Sequence, residues 1–358
     1  MSSRYSAGIR ISEYVLEQLL GTGTFGEVWR ARHHIWEKDL VAVKLPTEPD
    51  YVRHLQREGV MVHGLRHPNI VRVVGLDPYA EHPYLVMELV NGPSLRDVLN
   101  ERREGVGLQV ATTVMRGVLR GLQAAHAANV LHRDLKPGNV LLNLHDKPLP
   151  RVAVEDVKLS DFGLGVGDAE GLKAVAQSAS LERDNRLVGT LAYIAPELRD
   201  DGHKPDARSD LYSLGIVLFE LLTGQRPAGA ELPSSLRGGI PRALDEIFAK
   251  LYARYERRYA SAAAVLHDLE RAAGVRSAAA GAPPAGLAPA RGFALGREAC
   301  ARCGELAGPH DQFCTNCGGQ LVAHVRRCGS CGQYPGPFDR FCILCGSRLA
   351  EAEGSSGG

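Results

Sequence analysis

The stretch Leu131-His132-Arg133-Asp134-Leu135-Lys136-Pro137-Gly138-Asn139 decides how this chain is read, because it places a carboxylate, an ammonium and a side-chain amide within six positions. Downstream, Asp161-Phe162-Gly163 adds a second carboxylate on a glycine-containing turn. Upstream, Gly21-Thr22-Gly23-Thr24-Phe25-Gly26-Glu27-Val28 follows an expected strand, Tyr14 to Leu20, and glycines at this spacing let backbone amides approach phosphate oxygens. Alone, such a loop is a weak signal. A dinucleotide fold needs a helix straight after it and an acid ~20 positions on. Here the strand-like Glu27-Val28-Trp29-Arg30 follows instead, so a hairpin covering phosphates is expected. Val41-Ala42-Val43-Lys44 reads as a buried strand whose lysine emerges beside that loop, although a lysine ending an apolar strand is usually just a solvated end.

Around these motifs, residues 9 to 90 carry β-branched runs such as Ile70-Val71-Arg72-Val73-Val74, with one helical stretch from about Tyr51 to Leu65. Residues 94 to 271 carry helical periodicity, as in Val110 to Ala128, Asp210 to Leu222, Leu244 to Tyr255 and Ser261 to Ala272. The 358 residues, at ~100–200 per domain, allow two or three compact units. With 42 basic and 41 acidic residues the net charge is +1, which gives no general electrostatic drive toward nucleic acid or membranes. Tyr212 to Leu222 is too short for a membrane span and Glu220 interrupts it, while the start Met1-Ser2-Ser3-Arg4 has no apolar leader or myristoylation glycine. A cytoplasmic protein is expected, with no membrane partner.

With these residues the chain resembles the protein kinase superfamily, whose ordered motif set spans about 260 residues. Glu58 before His67-Pro68-Asn69-Ile70, Gly189-Thr190-Leu191-Ala192-Tyr193-Ile194-Ala195-Pro196-Glu197 and Ser209-Asp210-Leu211-Tyr212-Ser213-Leu214-Gly215 extend the match. The resemblance implies an α+β, bilobal fold: a kinase domain over 1–272, with an antiparallel-sheet N-lobe about 9–90 and a helical C-lobe about 91–272. It implies ATP and Mg2+ (or Mn2+), with Gly21, Gly23 and Gly26 over the phosphates and Lys44 on them, held by Glu58. Asp161 and Asn139 would ligate magnesium, Asp134 would orient the substrate hydroxyl and Lys136 would steady the transferring phosphoryl group. Val28, Ala42 and Leu141 would sandwich adenine, with Glu88 to Val90 as hinge and Met87 as gatekeeper.

Lys136 and Thr190 resemble the serine/threonine branch, so protein substrates carrying Ser or Thr are expected, and the composition resembles eukaryotic-like bacterial members. Thr190 would bridge Asp134 and Lys136. Arg133 before Asp134 implies control by activation-loop phosphorylation, with Ser178, Ser180 and Thr190 as acceptors, although these serines read equally as ordinary loop residues. Two departures stand out. Asn139 to Asp161 takes 22 steps, more than the family uses, so Asn143 to Glu155 is expected as an enlarged hairpin on the hinge side. Gln225 to Pro241 is short, so the substrate-facing helix is expected to be reduced. Arg258 matches the arginine that pairs with Glu197.

All eight cysteines lie late in the chain: Cys300, Cys303, Cys314 and Cys317 recur 28 residues on as Cys328, Cys331, Cys342 and Cys345. Each repeat is CxxC, ten residues, CxxC, with glycine after each pair, so two thiolates grip one ion from a tight turn. The pattern resembles a β-rich double zinc ribbon over 297–350, holding two structural Zn2+; iron and disulfides are the competing readings. An Ala/Pro/Gly-rich linker, 273–296, precedes it and a tail, 351–358, follows; the linker reads alternatively as a tail packed on the first domain. Arg297 to Glu351 carries six arginines and five acids, and two tetrathiolate zinc sites would make the module net negative. That disfavours nucleic acid and favours a protein partner or an intramolecular contact with the kinase domain. The expected function is a protein serine/threonine kinase carrying a zinc-ribbon targeting or regulatory module. Its alternative is a nucleotide-binding scaffold that presents the ribbons without catalysis.

Overall fold

The computed structural model describes residues 5–23, 26–47, 51–162, 191–199 and 203–272, with the short stretches 320–321, 327–328 and 347–349. The chain divides into two compact units, Met1–Ala280 and Gly281–Gly358. The first has the expected two-lobed architecture. Its N-lobe holds β1 (Arg10–Ile11), β2 (Tyr14–Gly23), β3 (Gly26–His33), β4 (Leu40–Leu45), helix α1 (Val52–Val62), β5 (Val73–Asp77) and β6 (Tyr84–Glu88). The strands form one antiparallel sheet in the order β1-β2-β3-β4-β6-β5.

Burial along β3 follows the period of two that separates the faces of a strand. Glu27, Trp29, Ala31 and His33 are buried, whereas Val28, Arg30 and Arg32 are half-buried. Trp29 and Ala31 pack with Tyr5, Ile11, Leu16, Val43 and Leu45 in one apolar cluster. Val28 belongs to a second cluster, with Ala42, Leu55, Leu85 and Met87. Gly26 is required where it stands, because a Cβ there would lie 2.3 Å from the Leu45 carbonyl oxygen.

The C-lobe continues through α2 (Leu95–Glu101), α3 (Leu108–Ala127), the short hairpin β7 (Val140–Leu142) and β8 (Val157–Leu159), α4 (Pro196–Arg199), α5 (Ala207–Thr223), α6 (Pro233–Leu236), α7 (Arg242–Leu251) and α8 (Ala262–Ala272). Helix α5 is buried on every side from Ser209 to Thr223, which is why its sequence lacks the polar stripe of a surface helix. Asp206 caps its start, accepting from the Arg208 and Ser209 amides, and Gly224 ends it in the left-handed conformation (φ 77°) against the Arg103 carbonyl. Among the described residues no helix is long and apolar enough to cross a membrane.

Three local expectations change. The run Ile70 to Val74 is not one strand: Ile70 forms a parallel bridge with Leu159, and the Val71 amide donates to the Leu159 carbonyl. The backbone there is committed to the C-lobe, and β5 starts only at Val73. The helix expected from Leu244 to Tyr255 ends at Leu251, and Tyr255–Arg257 forms a separate 3-10 turn. That break lets the Arg258 guanidinium reach the Ala253 carbonyl and Glu197. Asn143 to Glu155 does not lengthen the hairpin. Pro148 and Pro150 lack ladder donors, and the segment folds into 3-10 turns at Leu149–Arg151 and Val154–Asp156. It does lie beside the hinge, since the Asn91 amide donates to Asn143 Oδ1 and the His145 amide donates to the Asn91 carbonyl. In the stretch from Gln225 to Pro241 stands the single turn α6.

In the second unit, Cys328 is buried and packs against Leu349. The other seven cysteines, the linker and the tail lie outside the described residues.

The buried fork between Arg258 and Glu197, with bonds of 2.6 and 2.7 Å, joins α4 to the segment before α8. Arg258→Ala leaves a buried carboxylate unpaired, and the expected loss is about 3–5 kcal/mol of unfolding free energy for the first unit. Urea unfolding of wild type and variant measures it.

Candidate active site

Lys44 lies on β4, whose hydrogen-bonded neighbours on both sides bury it. Its Nζ donates to Glu58 Oε2 of α1 at 2.7 Å and to Asp161 Oδ1, 117 positions along the chain. Asp161 also accepts from the Ser160 hydroxyl at 2.9 Å through Oδ2. One ammonium between two carboxylates leaves a net negative charge. Burial disfavours the ammonium, yet the charges of Asp161 and then Glu58 outweigh burial and hold Lys44 above its ordinary range. Burial also pushes Asp161 up, but Lys44 more than reverses it, leaving that carboxyl below its ordinary value. Glu58 takes the cost. Its side chain is 3% exposed against 28% for Asp161, and burial raises its carboxyl from 4.5 to about 7 despite Lys44.

In the His132–Asn139 loop, Lys136 Nζ donates to Asp134 Oδ2 at 2.7 Å. Asn139 Nδ2 donates to the Asp134 carbonyl at 2.8 Å and to Oδ2 at 2.9 Å, which turns the amide oxygen away from Asp134. Arg133 and Asp161 have φ of 65° and 58°, left-handed values that a residue with a Cβ adopts at a cost of order 1–3 kcal/mol. What holds Arg133 there is Asp210, whose carboxylate accepts from the His132 amide at 2.9 Å and the Arg133 amide at 2.8 Å. His126 Nε2 lies 2.8 Å from the same carboxylate. Burial lowers the His132 pKa, and its neutral ring packs on Phe162 with centroids 4.6 Å apart. The chemistry-bearing loop and the Asp161-Phe162 segment therefore form one packed unit.

Val28 and Ala42 of the sheet share an apolar cluster with Met87, Val90 and Leu141 at the junction of the lobes, a lining of the apolar kind that ligand sites use. The Glu88 carboxylate accepts from Lys158 Nζ at 2.8 Å and the Arg72 amide at 2.9 Å, which fixes the hinge. Gly21 pairs with Val28 and Gly23 with Gly26 in the β2–β3 hairpin. Arg133 is exposed. Ser178, Ser180 and Thr190 lie outside the described residues.

Sequence reasoning assigned no role to Ser160, Asp210 or His126. The available signal was an acid in the first turn of a mostly apolar helix, Asp210-Leu211-Tyr212, since a buried carboxylate must find donors.

A sequence profile of the protein kinase domain matches residues 14–261, and the chain belongs to this family. It is similar to serine/threonine-protein kinase PknL of Mycobacterium tuberculosis, with 34% identity over 280 residues, covering 72% of this chain and 65% of that protein. It is also similar to serine/threonine-protein kinase PknB of Mycobacterium tuberculosis, with 33% identity over 284 residues, covering 72% of this chain and 42% of that protein. The chain thus spans less than two thirds of the length of these relatives. Among solved structures, the Mycobacterium tuberculosis PknI kinase domain is similar in fold, with a TM-score of 0.57 and 23% identity, covering 75% of this chain and 99% of that chain.

The Glu58 carboxyl sets a pH dependence. With its pKa raised from 4.5 to about 7 in the folded state, the folded chain holds the extra proton between those values. Its contribution to stability is therefore full below pH 4.5 and is lost as pH rises through about 7. Glu58→Gln is expected to remove this component from the pH profile of unfolding. Difference infrared spectra are expected to show a buried protonated carboxyl growing as pH falls through about 7 in wild type and absent in the variant.

Proposed function

We propose that this chain is an ATP- and Mg2+-dependent protein serine/threonine kinase that transfers the γ-phosphoryl group to Ser or Thr hydroxyls of protein substrates and to itself. The observation that carries the reading is the Lys44 ammonium held between Glu58 and Asp161, next to a loop in which Asp134, Lys136 and Asn139 are hydrogen-bonded to one another. Phosphoryl transfer passes through a loose transition state, so positioning and charge stabilisation are what the protein must supply. Lys44 is rigid, charged and able to meet phosphate oxygens. The oxygens of Asp161 and Asn139 are hard donors that suit magnesium or manganese, and the surplus negative charge around Lys44 fits a divalent cation. Asp161 and Asn139 would hold the metal, which would supply positive charge to offset that of the phosphates. Asp134 orients the acceptor hydroxyl and takes its proton, and Lys136, already bonded to Asp134, steadies the transferring group. Adenine fits the apolar cluster of Val28, Ala42 and Leu141 below the hinge. Exposed Arg133 suits an activation-segment phosphate, with Ser178, Ser180 and Thr190 as candidate acceptors.

The cysteine repeats are assigned to a double zinc ribbon that targets or regulates the kinase. Four CxxC knuckles, each followed by glycine, support two tetrathiolate sites, and soft thiolates suit Zn2+. A module this small draws most of its folding energy from the metal. Metal-bound CxxC pairs also fit a reducing compartment, and we place the protein in the cytoplasm.

Asp134→Asn is expected to lower radiolabel transfer from ATP, to itself and to a generic protein, at least about a hundredfold. Equal labelling by both proteins overturns the kinase reading in favour of a nucleotide-binding scaffold. Metal analysis of the native chain is expected to find two zinc ions, and a value well below that overturns the ribbon assignment.

A further inference from the structure

A cluster of charges beside the His132–Asn139 loop is not used by the mechanism above. Helix α2 leaves the hinge at Ser94, which bridges to Leu141, and packs over the Pro137–Asn139 turn. Its Arg96 donates to the Tyr193 hydroxyl at 2.6 Å and to Glu220 Oε2 of α5 at 2.8 Å. The Tyr193 hydroxyl donates to Glu220 Oε1, and Arg226 Nε stands 4.0 Å from that same oxygen. Tyr193 belongs to the segment that leads into Ala195-Pro196-Glu197, and Ser213 fixes its carbonyl with a 2.8 Å hydrogen bond.

The charge balance of this cluster is uneven in both number and exposure. Glu220 is 2% exposed and both its oxygens are engaged, whereas the side chains of Arg96 and Arg226 are 40% and 49% exposed. Burial and the Glu220 carboxylate keep the Tyr193 hydroxyl protonated, so it adds no negative charge. Asp97, the acid beside Arg96, is turned away to cap α2, accepting from the Ser94 amide and hydroxyl. Gly138, on the turn beneath α2, contributes no side chain, and open space lies where its Cβ would be. Two guanidiniums therefore face solvent with one sunken carboxylate between them.

We propose that Arg96 and Arg226 form a cationic shelf that selects protein substrates carrying Asp or Glu close to the phosphorylated Ser or Thr. An incoming carboxylate gains charge-assisted hydrogen bonds from the exposed edges of the guanidiniums. A substrate Lys or Arg meets two like charges and finds Glu220 closed. This deepens the kinase assignment above and rests on it.

The test uses the full chain with ATP and magnesium, and peptides with one central Ser or Thr and a single Asp, Ala or Arg placed within about four residues on either side. The expected result is a kcat/KM for at least one Asp peptide about threefold or more above its Ala counterpart, with the matched Arg peptide below it. Raising the ionic strength is expected to shrink the ratio. Arg226→Glu is expected to bring the Asp-to-Ala ratio to about one or invert it. Arg96→Gln lowers it while melting tracks fold integrity, and the ratio itself cancels general losses of activity. Equal rates for Asp, Ala and Arg peptides overturn the proposal, as does an enzyme that labels itself and none of the Asp peptides. An unchanged ratio in folded Arg226→Glu removes the shelf as its cause. Absence of all phosphoryl transfer, self-labelling included, overturns the kinase assignment instead.

Discussion

The Asp210 carboxylate, buried in the first turn of α5, accepts from two successive backbone amides, those of His132 and Arg133, and meets His126. Those bonds hold Arg133 in a backbone conformation that an L residue otherwise avoids, and the turn they enforce delivers Asp134 to Lys136 and Asn139. Without the carboxylate, the buried His132 N–H would stand unpaired at about 1–3 kcal/mol and the part-buried Arg133 N–H would lose its partner, so the loop and the helix depend on each other. Helix α5 provides a fixed origin because it is buried from Ser209 to Thr223 and its apolar side chains belong to the main core. Its far end carries a second buried acid, Glu220, which ties α2 and the Tyr193 segment to the same rod. One helix thus positions the loop, the end of the activation segment and the helix after the hinge.

Charge is handled differently at the two ends of the site. Around Asp134 and Asn139, hydrogen bonds satisfy polar atoms within the loop itself. Around Lys44 the balance is left short by one positive charge, and the penalty falls on Glu58, the more buried acid. A fully neutral arrangement would give a more stable core. The imbalance fits a site built to receive a cation together with phosphates, and it is the kind of local conflict expected where function overrides stability. Arg258 and Glu197 show the contrasting case, a matched fork with the guanidinium also donating to the Ala253 carbonyl and lying over the Tyr212 ring.

Much of the fold was legible from periodicity and local chemistry. The stretches read as helices near Tyr51 to Leu65, Val110 to Ala128 and Asp210 to Leu222 are α1, α3 and α5, shifted by a few residues. Two of the errors share one cause. Ile70 to Val74 has the residues of a strand, but the Val71 amide and Ile70 are taken by Leu159 across the lobe junction, an attraction that no local pattern encodes. The stretch from Leu244 to Tyr255 reads as one helix, yet the chain breaks after Leu251 so that Arg258 can reach Glu197. In both places a distant partner outweighs a preference worth only tenths of a kcal/mol per residue.

The sequence by itself determined which reacting groups the protein possesses, their order, and the doubled CxxC repeat. Residue type and short spacing carry that information directly: an ammonium on an apolar strand, a carboxylate three residues from a proline, thiols three apart. Only the tertiary structure decided which charges meet. That Lys44 holds Asp161 as well as Glu58, that Asp210 holds the amides of the loop, and that Glu220 is closed by Arg96 and Tyr193 are contacts across 117, 78 and 124 positions at their widest. Such pairings follow from how α5 and the sheet pack, because a buried charge is satisfied by whatever donor the core brings within 3 Å, whatever its distance along the chain.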